Sequence, residues 1–91
     1  MKKEKPAVNF RVTMNRSAWK DWRKLESADK QRVLDILPFL ALNPFIGKKL
    51  QGEFTGSRRM RVWPFRVVYR ILKKERVVEV WRVGHRGSIG Y

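Results

Sequence analysis

The stretch of sequence that decides the fold is "RRMRVWPFRVVYR", residues 58–70, in which five of the thirteen residues are arginine. Side chains alternate between the two faces of a β-strand, so this stretch separates into an apolar set and an arginine set. The apolar set is Met60, Val62, Phe65, Val67, Tyr69 and Ile71, and the arginine set is Arg59, Arg61, Arg66 and Arg70. We expect two strands, over residues 58–63 and 65–72, joined by a tight turn at Trp63–Pro64.

The sequence before this stretch predicts one strand and two helices. Residues 7–14 alternate in hydrophobicity, as a half-buried strand does. A helix that Asn15 or Ser17 caps follows, and a second helix that Ser27 caps comes after it. The apolar stripe of the second helix consists of Val33, Ile36, Leu37 and Leu40. Pro38 predicts a kink or an early end of this helix, and the dipeptide at residues 43–44 predicts its stop.

After the arginine-rich stretch, a turn at residues 73–75 and a last strand over residues 77–83 complete the order β-α-α-β-β-β. Alternation in this last strand does not decide which of its faces is buried. Sequences with this order of elements favour an α+β fold, here an antiparallel sheet with a helical hairpin packed on one face. The apolar set then faces the helices, and the arginine set covers the open face of the sheet.

The composition limits the class of protein. Ninety-one residues suffice for one domain, which we place at residues 7–91 after a disordered leader at residues 1–6. The chain has no cysteine and one histidine, His85, so we expect no disulfide, no metal and no cofactor. The N-terminus lacks the apolar stretch of a signal peptide, and the longest apolar run is too short to span a bilayer. We therefore expect a cytoplasmic protein with no membrane partner.

The net charge of +14 is extreme for this length and favours a polyanionic partner. Between residues 48 and 91, twelve Lys or Arg residues stand against three Asp or Glu residues. Nucleic acid is the first candidate partner, an acidic protein the second and an anionic membrane the third. The alternative interpretation of the arginine face is a solvated surface with cross-strand charge pairs, although acidic residues are scarce in this half.

Residues 43–86, "NPFIGKKLQGEFTGSRRMRVWPFRVVYRILKKERVVEVWRVGHR", resemble the RelE/ParE superfamily of prokaryotic toxins, and its RelE-like branch most closely. With the helices included, the resemblance extends from Phe10 to Tyr91. It implies a microbial-RNase-like sheet with two helices. It also implies the toxin of a type II toxin–antitoxin system, held in a hetero-oligomeric complex with an acidic antitoxin.

The resemblance implies three possible activities. RelE-like members cleave mRNA in the ribosomal A site without a metal, by attack of the 2′-hydroxyl on the adjacent phosphate. ParE-like members share the fold but inhibit DNA gyrase without an enzymatic reaction. A catalytically degenerate member would bind only RNA or its antitoxin. The leading hypothesis is the ribosome-dependent mRNA endonuclease, with the ribosome and mRNA as partners.

Four arginines match catalytic positions of the family pattern: Arg59, Arg61, Arg66 and Arg86. Charge develops on the phosphorane in the transition state of this reaction, and positive groups placed around it lower its energy. Arginine does not accept a proton, and some family members carry lysine at the positions of Arg59 and Arg61. The sequence therefore predicts a phosphate site whose base and acid are other residues.

His85 and Tyr91 are the candidates for that proton transfer. A histidine beside cations is a plausible base or acid, and the alternative is a turn residue that supports the tail. Tyr91 comes one position later than the tyrosine of the family pattern, because Gly90 precedes it.

Further candidates surround the arginine face. Lys48, Lys49, Arg58 and Arg70 are predicted RNA-binding residues, with solvated loop lysines as the alternative for the first two. Trp63 either stacks on a base at the rim of the site or packs on its own sheet. Trp19 and Trp22 belong to the core, but so small a domain does not cover both fully, so part of their surface with the stripe of the second helix is the predicted antitoxin groove.

Overall fold

In the computed structural model, which describes residues 10–52 and 56–85, two helices pack on one face of a five-stranded sheet. The elements are β1 (Arg11–Met14), α1 (Arg16–Arg23), α2 (Ser27–Leu42), a 3₁₀ turn (Pro44–Ile46), β2 (Lys48–Lys49), β3 (Ser57–Val62), β4 (Phe65–Leu72) and β5 (Val77–His85). The α+β class and the helical pair are confirmed, and the elements follow the predicted order with one addition, the two-residue strand β2, which was not predicted.

The sheet is mixed, with the strand order β1-β5-β4-β3-β2. β3, β4 and β5 form the predicted antiparallel meander, but β1 runs parallel to β5, with Val12 opposite Val78. The two-residue strand β2 adds to the outer edge of β3. The expectation of a wholly antiparallel sheet was therefore wrong, because alternation tells which face of a strand is buried but not which strand lies beside it.

The core lies between the helices and the inner face of the sheet. Its buried sheet residues include Met60, Phe65, Val67 and Tyr69, which confirms the predicted inward face. Ala18, Val33, Ile36 and Leu40 are the buried helical residues that pack against them. Val68 on the open face is also fully buried, so the charged side chains of that face lie over an apolar floor.

A β-bulge at Trp81 explains why alternation failed in β5. Val68 of β4 lies opposite Arg82, and Tyr69 lies opposite Val80, so Trp81 is an extra residue in the strand. The extra residue shifts the inward face by one position. Val80 and Val83 therefore both lie in the core although they are three residues apart.

The helix starts follow local capping rules only in part. The backbone N–H of Ala18 donates to Oδ1 of Asn15 at 3.0 Å, so Asn15 caps α1 as predicted. Ser27 is the first residue of α2, and Glu26 occupies the cap position without a side-chain hydrogen bond. The prediction that Ser27 caps this helix was therefore wrong by one residue.

Pro38 does not end α2, which continues to Leu42 and stops at Asn43 as predicted. Ile36 and Leu40 are buried on either side of the proline, and their burial holds the turn that contains it in place. At 16 residues α2 is the longest helix in the described part of the chain, and none there is long and apolar enough to cross a membrane.

Asp21 connects α1 to β5 by hydrogen bonds. It does so at Arg82 and Val83, past the part of β5 that pairs with β1. Its carboxylate accepts hydrogen bonds from Arg82 Nε at 2.8 Å and Arg82 Nη2 at 3.3 Å, and from the backbone N–H of Val83 at 3.1 Å. The Asp21 side chain is only 14% exposed. One carboxylate thus satisfies both a backbone donor at the sheet edge and a partly buried guanidinium.

We expect Asp21→Ala to lower the free energy of unfolding by about 2 kcal/mol, because it leaves charge-assisted donors unpaired. Asp35→Ala is the matched control. Asp35 accepts a hydrogen bond from Gln31 on an exposed surface of α2, and we expect a loss of about 0.5 kcal/mol or less. Urea unfolding followed by circular dichroism measures both values, and equal losses would contradict the role given to Asp21.

Candidate functional site

Three arginines meet on the open face of the sheet, and we call Arg59, Arg61 and Arg66 the arginine cluster. Arg61 of β3 lies directly opposite Arg66 of β4. Arg59 lies two residues earlier on β3 and therefore on the same face. The local β-hairpin, rather than any long-range contact, brings the three cations together.

The electrostatics of the arginine cluster are those of a site for an anion. The pKa of Arg59 is lowered from its usual value, first by burial and then by the positive charges of Arg61 and Arg66. Arg59 Nε is buried without a hydrogen-bond partner among the described residues. Within residues 10–52 and 56–85, neither Arg59 nor Arg61 forms an ion pair. An anion bound here would relieve the mutual repulsion and supply the missing acceptor.

Lys48 lies beside the arginine cluster, whereas Lys49 does not. The pairing of β2 with β3 sets Lys48 opposite Arg59 and Lys49 opposite Arg58. Lys48, Arg59 and Arg61 line one side of a cavity of about 690 Å³ at the edge of β3. Of the two lysines predicted to bind RNA, the structure brings Lys48 to the site.

Arg58 and Arg70, the other two arginines predicted to bind RNA, have partners elsewhere. Arg58 Nη1 donates to the carbonyl oxygens of Phe45 at 3.1 Å and Gly47 at 2.8 Å, so this side chain holds the loop before β2. Arg70 Nη2 lies 2.9 Å from Glu79 Oε1 in a cross-strand ion pair. In the structure both side chains therefore have partners outside the arginine cluster, and the sequence did not predict either partner.

His85 lies on the helical side of the sheet. It is opposite Phe65 in the register, and the two ring centres are 4.9 Å apart. Its Nε2 is 3.1 Å from Oδ2 of Asp29 in the first turn of α2. The structure thus does not bring the His85 ring into the arginine cluster. Arg86 and Tyr91 lie outside the described residues.

Trp63 stands at the turn between β3 and β4, next to the arginine cluster. Its side chain is 71% exposed, so its own sheet leaves most of the ring uncovered. It lines a cavity of about 460 Å³ together with Arg61, Pro64, Phe65 and Arg66. Of the two interpretations of Trp63, the position at the rim of the site agrees with this exposure.

The two tryptophans of α1 differ in burial. Trp22 packs against the core, and its Nε1 donates to the carbonyl oxygen of Lys30 at 3.2 Å. Trp19 is 41% exposed and meets the Trp22 ring edge-on at 5.5 Å. The stripe of α2 predicted to complete an antitoxin groove is in the core, with Val33, Ile36 and Leu40 buried. That part of the prediction was wrong, because a stripe at helical spacing is the face that the core covers.

An apolar surface between α2 and β3 was not predicted from the sequence. Phe39 of α2 is 63% exposed, and Ile46 and Val62 are also exposed. They line the same 690 Å³ cavity as Lys48, Arg59 and Arg61. Phe39 lies outside the apolar stripe that α2 buries in the core, and a large apolar residue at such a position is the sequence feature that indicates this exposed surface.

Comparison with known proteins agrees with this fold. The family model described as ParE toxin of type II toxin-antitoxin system matches residues 12–90. A RelE-like toxin protein of Escherichia coli is 30% identical over 81 residues, which cover 87% of this chain and 85% of that protein. The toxin–antitoxin complex RelBE2 from Mycobacterium tuberculosis contains a chain with a TM-score of 0.82 and 30% identity, at 87% coverage of this chain and 100% of that one.

The archaeal RelE–RelB complex from Pyrococcus horikoshii is similar over 88% of this chain and 98% of its own, with a TM-score of 0.71 and 26% identity. The likeness to these structures agrees with the fold described above, two helices on a mixed sheet. The chain is a member of the RelE/ParE superfamily of toxins from type II toxin–antitoxin systems.

Proposed function

We propose that this toxin is a ribosome-dependent mRNA endonuclease. The observation that carries the proposal is the arginine cluster, in which Arg59 and Arg61 have no acidic partner among the described residues. Guanidinium groups bind phosphate oxygens through paired hydrogen bonds, so the cluster is suited to an RNA backbone. The similarity to RelE-like toxins supports the same activity.

The role of the arginine cluster in this reaction is to stabilise negative charge in the transition state. The 2′-hydroxyl oxygen of one nucleotide attacks the adjacent phosphorus, and the bond from phosphorus to the 5′-oxygen of the next nucleotide breaks. The products are a 2′,3′-cyclic phosphate and a 5′-hydroxyl. Negative charge increases on the phosphoryl oxygens in the transition state, where Arg59, Arg61 and Arg66 donate hydrogen bonds to it. Positive side chains here do the work that a metal ion does in many other nucleases.

The proton from the 2′-hydroxyl goes to a group outside the arginine cluster, because guanidinium groups do not accept protons. The leaving 5′-oxygen takes up a proton from a group that is likewise outside the cluster, because guanidinium groups do not release a proton at neutral pH. His85 stays in the proposal because it follows Gly84, which lies opposite Arg66 in the sheet. Its ring would have to leave Asp29 to reach the open face. Tyr91 and Arg86 stay in the proposal on the family resemblance alone, Tyr91 for proton transfer and Arg86 for phosphate binding.

We propose that an acidic antitoxin covers the cavity beside β3. Phe39 and Ile46 provide an apolar side and Lys48 and Arg59 a cationic side, which together fit an amphipathic segment rich in Asp or Glu. A segment bound there would also cover part of the arginine cluster and so block RNA. Trp19 provides a second exposed apolar contact on α1.

Mapping of mRNA 5′ ends in translating cells tests the proposed activity. We expect induction of the toxin to produce 5′-hydroxyl ends at one position within codons of translated mRNA. The match to the family model of ParE toxins keeps one alternative open, the inhibition of DNA gyrase that the resemblance to ParE-like members implies. DNA breaks and DNA-damage induction with intact mRNA would contradict the nuclease in favour of that alternative. Unaffected growth would indicate a degenerate toxin.

A further inference from the structure

The turn between β3 and β4 exposes a large aromatic ring beside two cations. Val62 pairs with Phe65 and Arg61 pairs with Arg66, so the turn consists of Trp63 and Pro64 alone. A tryptophan that is 71% exposed leaves a large apolar surface in water, at a cost in free energy that a bound partner would remove. The exposed ring therefore offers a flat apolar face to a binding partner.

The cavity at this turn is mixed in chemistry. Its volume of about 460 Å³ is within the usual range for small-molecule sites, and two guanidinium-bearing residues and an indole line it. A ligand that fits this lining carries a flat aromatic group and a negative group a short distance apart. A nucleotide has both, in its base and its phosphate.

We infer that Trp63 stacks on a base of single-stranded mRNA whose adjoining phosphate is bound by Arg61 and Arg66. This inference rests on the proposed function, which makes mRNA the substrate. Every base has an aromatic face, so such stacking tolerates sequence variation and contributes affinity at a fixed nucleotide. Trp63 thus positions the RNA chain, and by holding one base it sets which phosphate lies at the arginine cluster.

The indole beside two guanidinium groups, rather than charge alone, favours RNA over an acidic protein segment at this cavity, because a nucleotide carries an aromatic base next to its phosphate. Arg61 and Arg66 are both cationic, and the other lining residues, Trp63, Pro64 and Phe65, bring no acidic group. An antitoxin segment that covered Phe39 and Val62 would reach Trp63 from the side of α2, where Arg32 and Asp35 line a separate cavity. That alternative is one outcome of the test.

The test measures cleavage of mRNA bound to purified ribosomes whose A site is vacant. Toxin concentration is varied to obtain the maximal rate and the half-saturating concentration for wild type, Trp63→Ala, Trp63→Leu and Trp63→Phe. We expect Trp63→Ala and Trp63→Leu to raise the half-saturating concentration about tenfold, since neither retains an aromatic face. Trp63→Phe should stay within about threefold of wild type. The Trp63→Leu variant distinguishes stacking from simple apolar contact, because leucine is a bulky apolar side chain without an aromatic ring.

A second arm removes single bases from the mRNA instead of the indole from the toxin. One abasic nucleotide beside the cleaved position should raise the half-saturating concentration of the wild-type toxin about tenfold. The half-saturating concentration of Trp63→Ala should not change, because the indole and the base are the two partners of one contact. The inference would be overturned if every abasic position raised the half-saturating concentrations of wild type and Trp63→Ala by the same factor.

Arg66→Ala separates the inference from the proposed function. If Arg66→Ala loses cleavage while Trp63→Ala matches wild type, the nuclease stands and the stacking inference is overturned. If the wild-type toxin cuts no ribosome-bound mRNA, both are overturned. If Trp63→Ala changes only the affinity of the antitoxin, the ring belongs to the protein interface and the inference is again overturned.

Discussion

Arg66→Ala should reduce the maximal rate of mRNA cleavage by about 100- to 1,000-fold, the usual loss when one donor to a developing oxyanion is removed. Arg66 faces Arg61 across the hairpin, on the face away from the helices. Removal of its guanidinium takes away a donor and a positive charge that act most strongly in the transition state. Single-turnover cleavage on ribosomes measures the rate without interference from product release.

Arg70→Ala is the matched control for this variant. Arg70 lies on the same strand and the same face, and the substitution removes the same charge and the same number of atoms. Because Arg70 is engaged with Glu79, we expect the cleavage rate to change by less than about threefold. Equal losses in the two variants would show that general positive charge, rather than a positioned arginine, carries the activity. Thermal unfolding of both proteins verifies that neither loss reflects misfolding.

Gly47→Ala should lower the free energy of unfolding by about 3 kcal/mol, since it forces a methyl group into a filled space. A Cβ atom at this position would overlap the hydroxyl oxygen of Tyr69 and lie 2.9 Å from its Cζ and 3.0 Å from the carbonyl oxygen of Arg59. That hydroxyl is buried, donates to the carbonyl oxygen of Pro44 at 2.7 Å and accepts from the N–H of Gly47 at 3.0 Å. Burial raises the pKa of Tyr69, so the hydroxyl keeps its proton at neutral pH.

Two comparisons sharpen this prediction. Gly52→Ala meets open space but has a φ of 70°, so only backbone strain of about 1 kcal/mol is expected. In a double-mutant cycle, Tyr69→Phe removes the oxygen that the new methyl group would strike. We expect the double variant to lose less stability than the sum of the two single losses. Additive losses, or equal losses for Gly47→Ala and Gly52→Ala, would contradict the close approach of this loop to Tyr69.

The part of the fold that sequence predicted well is the part that local alternation decides. Met60, Phe65 and Val67 face the helices and Arg59 and Arg61 face away, as the period of two requires. A one-residue slip would have placed arginines in the core, so the register of this hairpin is strongly specified. The arginine cluster follows from the same local pattern.

What sequence could not supply were the partners of charged groups. Arg70 and Arg58 belong to the same stretch as the cluster, yet Glu79 engages one and the loop carbonyls before β2 engage the other. The contact of Arg70 depends on the register between β4 and β5, which the bulge at Trp81 shifts by one residue, and the contact of Arg58 depends on the path of the loop before β2. Composition and alternation predict which charged residues lie on one face of the sheet. Only the tertiary structure shows which of those residues already have a partner in the protein.

The parallel pairing of β1 with β5 affects when the toxin folds during its synthesis. Among the strands of the described residues, the ribosome makes β1 first and makes β5, the sole neighbour of β1 in the described sheet, last. Contacts between such distant segments close a long loop and form slowly. A nascent chain that has not yet passed residue 77 has no strand for β1 to join. The cell therefore holds a folded toxin only after the ribosome that made it has translated nearly the whole domain.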